Sequence, residues 1–501
     1  MHITNIEKLI ELSKELLAKR RLILASNRGP VEFYVKDDGE LEARRGSGGV
    51  VTALSAVSQY IELTWIASAM TDGDRRAAES ATGKTLRSPL PGTNLYLLFV
   101  TPPRSVYHRY YNVFCNPLLW FLQHYMWNSP RTPNIDARIY DAWENGYVSV
   151  NKIFADAVVA EAEGSSPPPF VMLHDYHLYL AAGYIRQKIP NIILQHFTHI
   201  PWPAPTYWQL LPRIMRTAIF ENLCANDIVG FQTVRDGRSF LSCCEAFLED
   251  AEVDHRRRTV WVNEHLTTVN AYPISIDVAG LRDLVESPKV KEYEQRLSPL
   301  LCEKNIVRVD RSEPSKNVIR GLRAFELLLQ SHPEYLGKVK VLSFLVPSRT
   351  NIRQYQQYIQ DVHDLVEIIN SKYGTPDWQP IKTFYENNYP QAIAGMRFYD
   401  ALLVNPVIDG MNLVAKEGCI VNSTDGVLIL SETAGAHEQL GEYALSIAPA
   451  DVEGTMQALH QALTMPIEER KKRAEALRRS VEEEDIIMWL YRQFNDLMAL
   501  A

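Results

Sequence analysis

Residues 401–417 read Ala401-Leu402-Leu403-Val404-Asn405-Pro406-Val407-Ile408-Asp409-Gly410-Met411-Asn412-Leu413-Val414-Ala415-Lys416-Glu417. An apolar run (401–407) stops at an Asp-Gly turn, and a helical pattern starts near Asn412. Such a near-continuous apolar run suits a strand covered on both faces, as in a parallel sheet. Working outward, runs of the same kind recur at 21–27, 170–176, 192–200, 227–233, 306–309, 338–346, 426–432 and 443–448. Amphipathic helical segments such as 318–330 and 352–371 lie between them. Alternation of strand and helix specifies an α/β chain with doubly wound parallel sheets. Nine such strands are many for one sheet, so two Rossmann-like halves are expected. The boundary falls near 270–276, where Ala271-Tyr272-Pro273 follows an apolar strand and a new helical series begins after Asp277. This gives domains of 1–275 and 276–479, followed by a strongly helical C-terminus.

Composition limits the function classes. The 501 residues are 46% hydrophobic and 22% charged, near the average for globular proteins. Lysine and arginine total 52 against 60 acidic residues, a net charge of −8. A mildly acidic chain argues against a nucleic-acid coat or a membrane-surface binder. The six cysteines contain no Cys-x-x-Cys pair, which argues against thioredoxin-type chemistry and cysteine-rich zinc modules. Reduced thiols in a cytoplasmic setting are the simple expectation. The first 21 residues lack the apolar core of a signal peptide. Neither a Gly-x-x-x-x-Gly-Lys-Ser/Thr loop nor a Gly-x-Ser-x-Gly elbow occurs. Asp72-Gly73-Asp74 reads as a loop away from any strand end, and so not as a phosphatase nucleophile.

Four motifs carry chemistry. At 405–417 the helix N-terminus offers free N–H groups and a positive dipole end to a phosphate or sugar hydroxyl. Glu417, more than a turn inside that helix, is placed to accept from a ribose diol; the alternative is an ordinary capped turn with Glu417 solvated. At 309–317, Arg311 and Lys316 lie five apart around a turn and could clamp a diphosphate, Arg as a fork and Lys as a point charge. His174-Asp175-Tyr176-His177 and His196-Phe197-Thr198-His199 end two strands. Residues three apart on a strand face opposite ways, which disfavours a metal; Asp175 and His199 suit sugar hydroxyls, with the other histidines as support or core. Ser26-Asn27-Arg28 ends the first strand, and Gly46-Ser47-Gly48-Gly49 follows a long excursion over 31–45 as a loop able to close over a phosphate or sugar.

In this order the segments resemble the trehalose-6-phosphate synthase family of retaining glycosyltransferases, glycosyltransferase family 20, over about residues 21–491. They are Ser26-Asn27-Arg28, Gly48-Gly49, Tyr110-Tyr111-Asn112 with Trp120, 174–178, 199–203, 230–233, 311–316 and 409–417. The resemblance implies a GT-B fold, two Rossmann-like domains facing a cleft, with the final helix (about 480–501) completing the N-terminal acceptor domain. It implies that the C-terminal domain holds a nucleoside-diphosphate-glucose, UDP or GDP, and that glucose passes to glucose 6-phosphate. Arg311 and Lys316 would grip the diphosphate. Asp409, with the N–H groups of Gly410, Met411 and Asn412 and the helix start at Leu413 and Val414, would hold sugar and phosphate. Glu417 would bind the ribose, and Gly48 and Gly49 would help cover the donor. Asp175 and His199 would contact the reacting sugars, and Arg28, Tyr111, Trp120 and Arg349 the phosphorylated acceptor. Asp175, His199, Arg311 and Lys316 would carry catalysis. No metal or other cofactor, nucleic acid or membrane is implied; a homo-oligomer is left open.

Departures from the family pattern keep alternatives open. Glu313-Pro314 and Asn317 stand where the family has Asp-Tyr and Gly, and Val407-Ile408 where it has Leu-Arg. With Trp65-Ile66-Ala67-Ser68-Ala69 and Asp74-Arg75-Arg76, these lean toward validoxylamine-7′-phosphate synthase. That relative stands for sister synthases using another phosphorylated acceptor or a pseudo-sugar donor; a non-catalytic sugar-phosphate-binding relative is the alternative of another class. The register starting at Arg308 is rejected, because it puts Glu313 where the lysine belongs.

Overall fold

A computed structural model describes residues 5–46, 62–349 and 352–501. Gly48, Gly49 and the helix expected from Val50 lie outside the described residues. The chain divides into two units, Met1–Pro273 with Ile487–Ala501, and Ile274–Ile486.

In the second unit six parallel strands form one sheet, ordered Ile381–Tyr385, Val339–Val346, Lys304–Arg311, Ala401–Val404, Val427–Ser431 and Leu445–Ile447. Numbered by chain position the order is 3-2-1-4-5-6, the doubly wound arrangement. The first and fourth strands are neighbours, with Ile306 beside Ala401 and Val307 beside Leu402. Their following connections run opposite ways, so the carboxyl ends of these two strands border the crevice where ligands bind in such sheets. Ala401–Val404 is buried throughout, as its apolar run requires. The Val318–Ser331 helix covers the sheet with Leu322, Phe325, Leu328 and Leu329. Those side chains recur every three or four residues, on one helical face.

The first unit repeats the plan. Its seven mutually parallel strands, in chain order Leu22–Ser26, Leu63–Ser68, Leu95–Val100, Phe170–His174, Ile193–Phe197, Ile228–Phe231 and His265–Ala271, are arranged 3-2-1-4-5-6-7. Antiparallel edge strands complete ten. The switch point lies between Leu22–Ser26 and Phe170–His174, so Arg28 and Asp175 follow the two strands that flank it.

One expectation takes a definite form and another is corrected. The 31–45 excursion is an antiparallel hairpin, Val31–Val35 paired with Leu41–Arg45. Its strands are half exposed, so they lack the apolar runs of the central strands. Asp72-Gly73-Asp74 is not a loop: it opens the Asp72–Ser80 helix, close after the Leu63–Ser68 strand. The Asp74 carboxylate accepts from the N–H groups of Phe33 (2.7 Å), Met70 (2.9 Å) and Thr71 (2.9 Å), fastening the hairpin to the helix cap. Gly73 is required there, since a Cβ would sit 2.2 Å from the Phe33 carbonyl oxygen.

The last helix, Ile486–Met498, presents Trp489, Gln493 and Asp496 at helical spacing to the first unit. Trp489 is buried and donates Nε1–H to the Tyr272 carbonyl at 3.1 Å. Gln493 accepts from Gln195 (2.9 Å), and Asp496 from Asn270 (2.9 Å) and the Tyr272 hydroxyl (2.6 Å). Among the described residues no helix is long and apolar enough to cross a membrane.

Trp489→Ala should lower unfolding stability by about 3–5 kcal/mol in denaturant titrations, the scale of losing a buried Trp; a change under 1 kcal/mol would remove this helix from the core. His174 and His196 are fully buried at adjacent strand ends, and burial pushes both imidazoles down to about 3. An unfolded histidine titrates near 6.5, so the unfolded chain takes up protons first as pH falls. The stabilising effect is complete above about 6.5 and is lost toward 3, at up to about 1.4 kcal/mol per pH unit for each histidine. His196→Gln should therefore make stability less steep between pH 6 and 4 by about one proton; an unchanged slope would contradict the assignment.

Candidate active site

In the second unit, local sequence builds a double loop at the switch point. Lys304–Arg311 runs past its apolar centre, because Arg308 and Asp310 satisfy one another inside the sheet. Arg308 donates Nε–H and Nη2–H to one Asp310 oxygen at 3.0 and 2.7 Å. Its other hydrogen bonds go to the carbonyls of Lys316 (3.2 Å) and Val318 (3.3 Å). Arg308 is thus sealed in the interior, whereas the Arg311 side chain is 47% exposed.

Pro314–Lys316 forms one tight helical turn, and Asn317 adopts a left-handed conformation (φ 58°). Asn tolerates this geometry better than most residues, though Gly would adopt it without strain. The Asn317 amide donates to the Asn405 carbonyl at 2.9 Å, and the Asn405 amide returns a bond to the Asn317 carbonyl at 3.2 Å. Val407 N–H donates to the Ser315 carbonyl at 2.8 Å. The Lys316 ammonium then meets the Asp409 carboxylate, which also accepts from the Asn412 amide at 3.1 Å. Two loops some 90 residues apart in sequence are therefore fastened side by side.

The second loop is held from beneath. Gly435 donates to the Asp409 carbonyl at 3.0 Å and Ala436 to that of Met411 at 2.8 Å. A Cβ on Gly435 would lie 1.8 Å from the Gly410 carbonyl oxygen, so glycine is obligatory. Asn412, not Gly410, takes the left-handed position (φ 72°), and its side chain caps the Leu413–Val421 helix at the Ala415 N–H. The first-turn amides of Leu413 and Val414 have no partner within the helix, as at any helix start. Glu417, in the second turn, accepts from the Tyr389 hydroxyl at 2.8 Å, and burial pushes its carboxyl up.

Arg349 belongs to the same unit and is tied to the first loop. Its guanidinium donates to the Tyr355 hydroxyl at 2.6 Å and to Glu313 at 3.4 Å. Glu313, fully buried, pairs with Arg311 through its other oxygen at 2.9 Å. Sequence reasoning missed Glu313, Tyr355, Tyr389 and the Asn317–Asn405 pair as parts of the site. The departures from the family pattern at Glu313 and Asn317 were the available signals.

In the first unit the expected residues form a chain of contacts at its switch point. Ser26 accepts from the Trp65 indole at 2.8 Å and donates to the Arg28 carbonyl at 2.6 Å, fixing the turn that presents Arg28. Arg28 lies beside Glu32 (3.9 Å) and hydrogen-bonds to Tyr111. The Tyr111 ring stacks between Tyr107 (5.5 Å) and His177 (5.9 Å), on a helix of wide π-type turns spanning His108–Leu119. Such turns are uncommon and frequent at functional sites.

His177 is 3.9 Å from Asp175, whose other oxygen accepts from the His199 N–H at 3.3 Å. Asp175 has φ 72° and ψ 170°, a conformation that costs a non-glycine residue about 1–3 kcal/mol and that clusters at active sites. His199 contacts His174 (3.1 Å) and Gln232 (3.4 Å), and burial pushes its imidazole well down, toward the neutral form. Trp120 is buried (5% exposed), stacked on His124 at 3.9 Å with its ring largely inside the core. Four histidines and Asp175 do not converge on a point. Among the described residues no group of three or more His, Cys, Asp or Glu is placed to hold a metal ion.

Comparison with known proteins converges on one family. The model of glycosyltransferase family 20 matches residues 20–499. The α,α-trehalose-phosphate synthase (UDP-forming) of Schizosaccharomyces pombe is 31% identical over 480 residues, covering 94% of this chain and 89% of that protein. The synthase A of Dictyostelium discoideum is 31% identical over 476 residues, 94% of this chain but only 61% of its own length. Among solved structures, an Escherichia coli trehalose-6-phosphate enzyme bound with UDP-2-fluoro glucose superposes with TM-score 0.81 at 26% identity, over 95% of this chain and 98% of that one. A Burkholderia xenovorans trehalose-phosphate synthase in complex with glucose-6-phosphate gives 0.81 and 26%, over 95% and 100%. With Rossmann-type sheets in both units, the fold is GT-B, and the chain is a glycosyltransferase that belongs to glycosyltransferase family 20.

Proposed function

We propose that this enzyme moves glucose from UDP-glucose to glucose 6-phosphate with retention, giving α,α-trehalose 6-phosphate. The observation that carries the reading is the fastened double loop, which gathers Arg311, Lys316, Asp409 and the start of the Leu413–Val421 helix at one switch point. Cations beside a helix N-terminus suit a diphosphate. The names of the curated relatives and the ligands of the solved relatives favour UDP-glucose and glucose 6-phosphate over other pairs.

In this reading Arg311 and Lys316 stabilise charge on the departing diphosphate, and Glu417 binds the ribose. Lys316 must exchange part of its contact with Asp409 for the phosphate, leaving Asp409 to accept from a sugar hydroxyl. Arg28, Tyr111 and Trp120 of the first unit, and Arg349 of the second, are assigned to the phosphorylated acceptor. Asp175 and His199 orient the reacting sugars; a neutral His199 accepts or donates a hydrogen bond without adding charge. The departing phosphate itself takes the acceptor's proton, so paired carboxylates are not required. Catalysis is then positioning together with stabilisation of departing charge. No metal or other cofactor enters the scheme.

The test is an initial-rate assay of UDP release with UDP-glucose and glucose 6-phosphate, the product linkage being read by NMR. The expected result is turnover to the α,α-1,1-linked phosphorylated disaccharide, with kcat lowered more than ~100-fold in Lys316→Ala, the scale of losing one charge stabiliser. UDP release only with a different phosphorylated acceptor would replace the reading with a sister synthase. Binding of both ligands without release would make the protein a sugar-phosphate sensor.

A further inference from the structure

Glu313 stands where the family pattern has Asp, and nothing in the mechanism above uses it. It is fully buried, yet it faces two arginines assigned to different substrates: Arg311, given to the donor diphosphate, and Arg349, given to the acceptor phosphate. One carboxylate oxygen lies 2.9 Å from Arg311 and the other 3.4 Å from Arg349. Its main chain is also fixed, since Glu313 N–H donates to the Arg311 carbonyl (2.8 Å) and its own carbonyl accepts from Lys316 N–H (3.0 Å). A buried carboxylate is tolerated when paired, and two cations around one anion leave a net positive charge available to a ligand. Arginine is long and rich in rotamers, and its forked geometry matters only when it is aimed.

We infer that Glu313 is a positioning residue that aims Arg311 and Arg349 together, so that donor diphosphate and acceptor phosphate are held in one fixed relation. The inference rests on the substrate assignment above. Without the carboxylate both arginines keep their charge and still attract phosphates, but in several poses. Ground-state binding is then largely kept, whereas stabilisation tied to one geometry is lost. The Tyr355 hydroxyl accepts from the Arg349 arm, at 2.6 Å.

The experiment compares wild type, Glu313→Gln, Glu313→Asp and Tyr355→Phe by initial rates and by calorimetric titration with UDP alone. Glu313→Gln should lower kcat by about 30-fold or more while both KM values and the UDP Kd stay within about threefold. Glu313→Asp, too short to reach both arginines, should recover part of that loss. Tyr355→Phe should weaken turnover at low glucose 6-phosphate and leave UDP binding unchanged. A Glu313→Gln kcat within threefold of wild type overturns the inference, as does a loss confined to one substrate's KM. Where Glu313→Gln fails to fold by circular dichroism, Tyr355→Phe decides: equal changes for UDP and acceptor contradict the divided arms. Wild type that turns over no glucose 6-phosphate fails the substrate reading instead, so the two failures are separable.

Discussion

The second unit's architecture turns on the fastening of two distant loops at the point where the strand order reverses. Sheet topology alone sets the ends of Lys304–Arg311 and Ala401–Val404 side by side, but their connections depart in opposite directions. Left there, the loops would splay. Reciprocal amide bonds between Asn317 and Asn405, the Ser315–Val407 bond and the Lys316–Asp409 ion pair close the gap. The left-handed backbones at Asn317 and Asn412 are the strained positions this closure requires, and surrounding hydrogen bonds hold them in place. The first unit solves the same problem differently. There Arg28, Tyr111, His177, Asp175 and His199 touch in sequence, with the strained residue at Asp175.

Charge is concentrated where composition conceals it. The chain carries −8 overall, yet the second unit's switch point assembles Arg311, Lys316 and Arg349 around Glu313 and Asp409. Each cation already has an acidic partner, so the loops are stable without a ligand. In the proposed reading such a site is preorganised for phosphates, because binding exchanges one set of oxygens for another and requires little rearrangement.

The sequence disclosed the central strands because burial on both faces demands continuous apolar runs, as at Phe170–His174 and Val427–Ser431. It underestimated Lys304–Arg311, whose Arg308 and Asp310 look polar but neutralise each other in the interior. It overlooked the half-exposed Val31–Val35 hairpin strand and the Ile381–Tyr385 edge strand, where one face is wet and the pattern is weak. Leu63–Ser68 and Leu95–Val100 were readable by the apolar criterion and simply fall outside the nine runs. In the site, Arg311, Lys316, Asp409 and Glu417 were legible because each stands in a local turn or helix start. Glu313–Arg349, Tyr389–Glu417 and Asn317–Asn405 were not, because each joins segments 28 to 88 residues apart and no local pattern encodes such a pairing.

The most direct test of the central claim is a crystal structure with UDP bound. The expected result is diphosphate oxygens within hydrogen-bonding distance of the Arg311 guanidinium and the Lys316 ammonium, beside the start of the Leu413–Val421 helix, with the ribose hydroxyls on Glu417. Density for the diphosphate anywhere else, with the Lys316–Asp409 pair undisturbed, would contradict it.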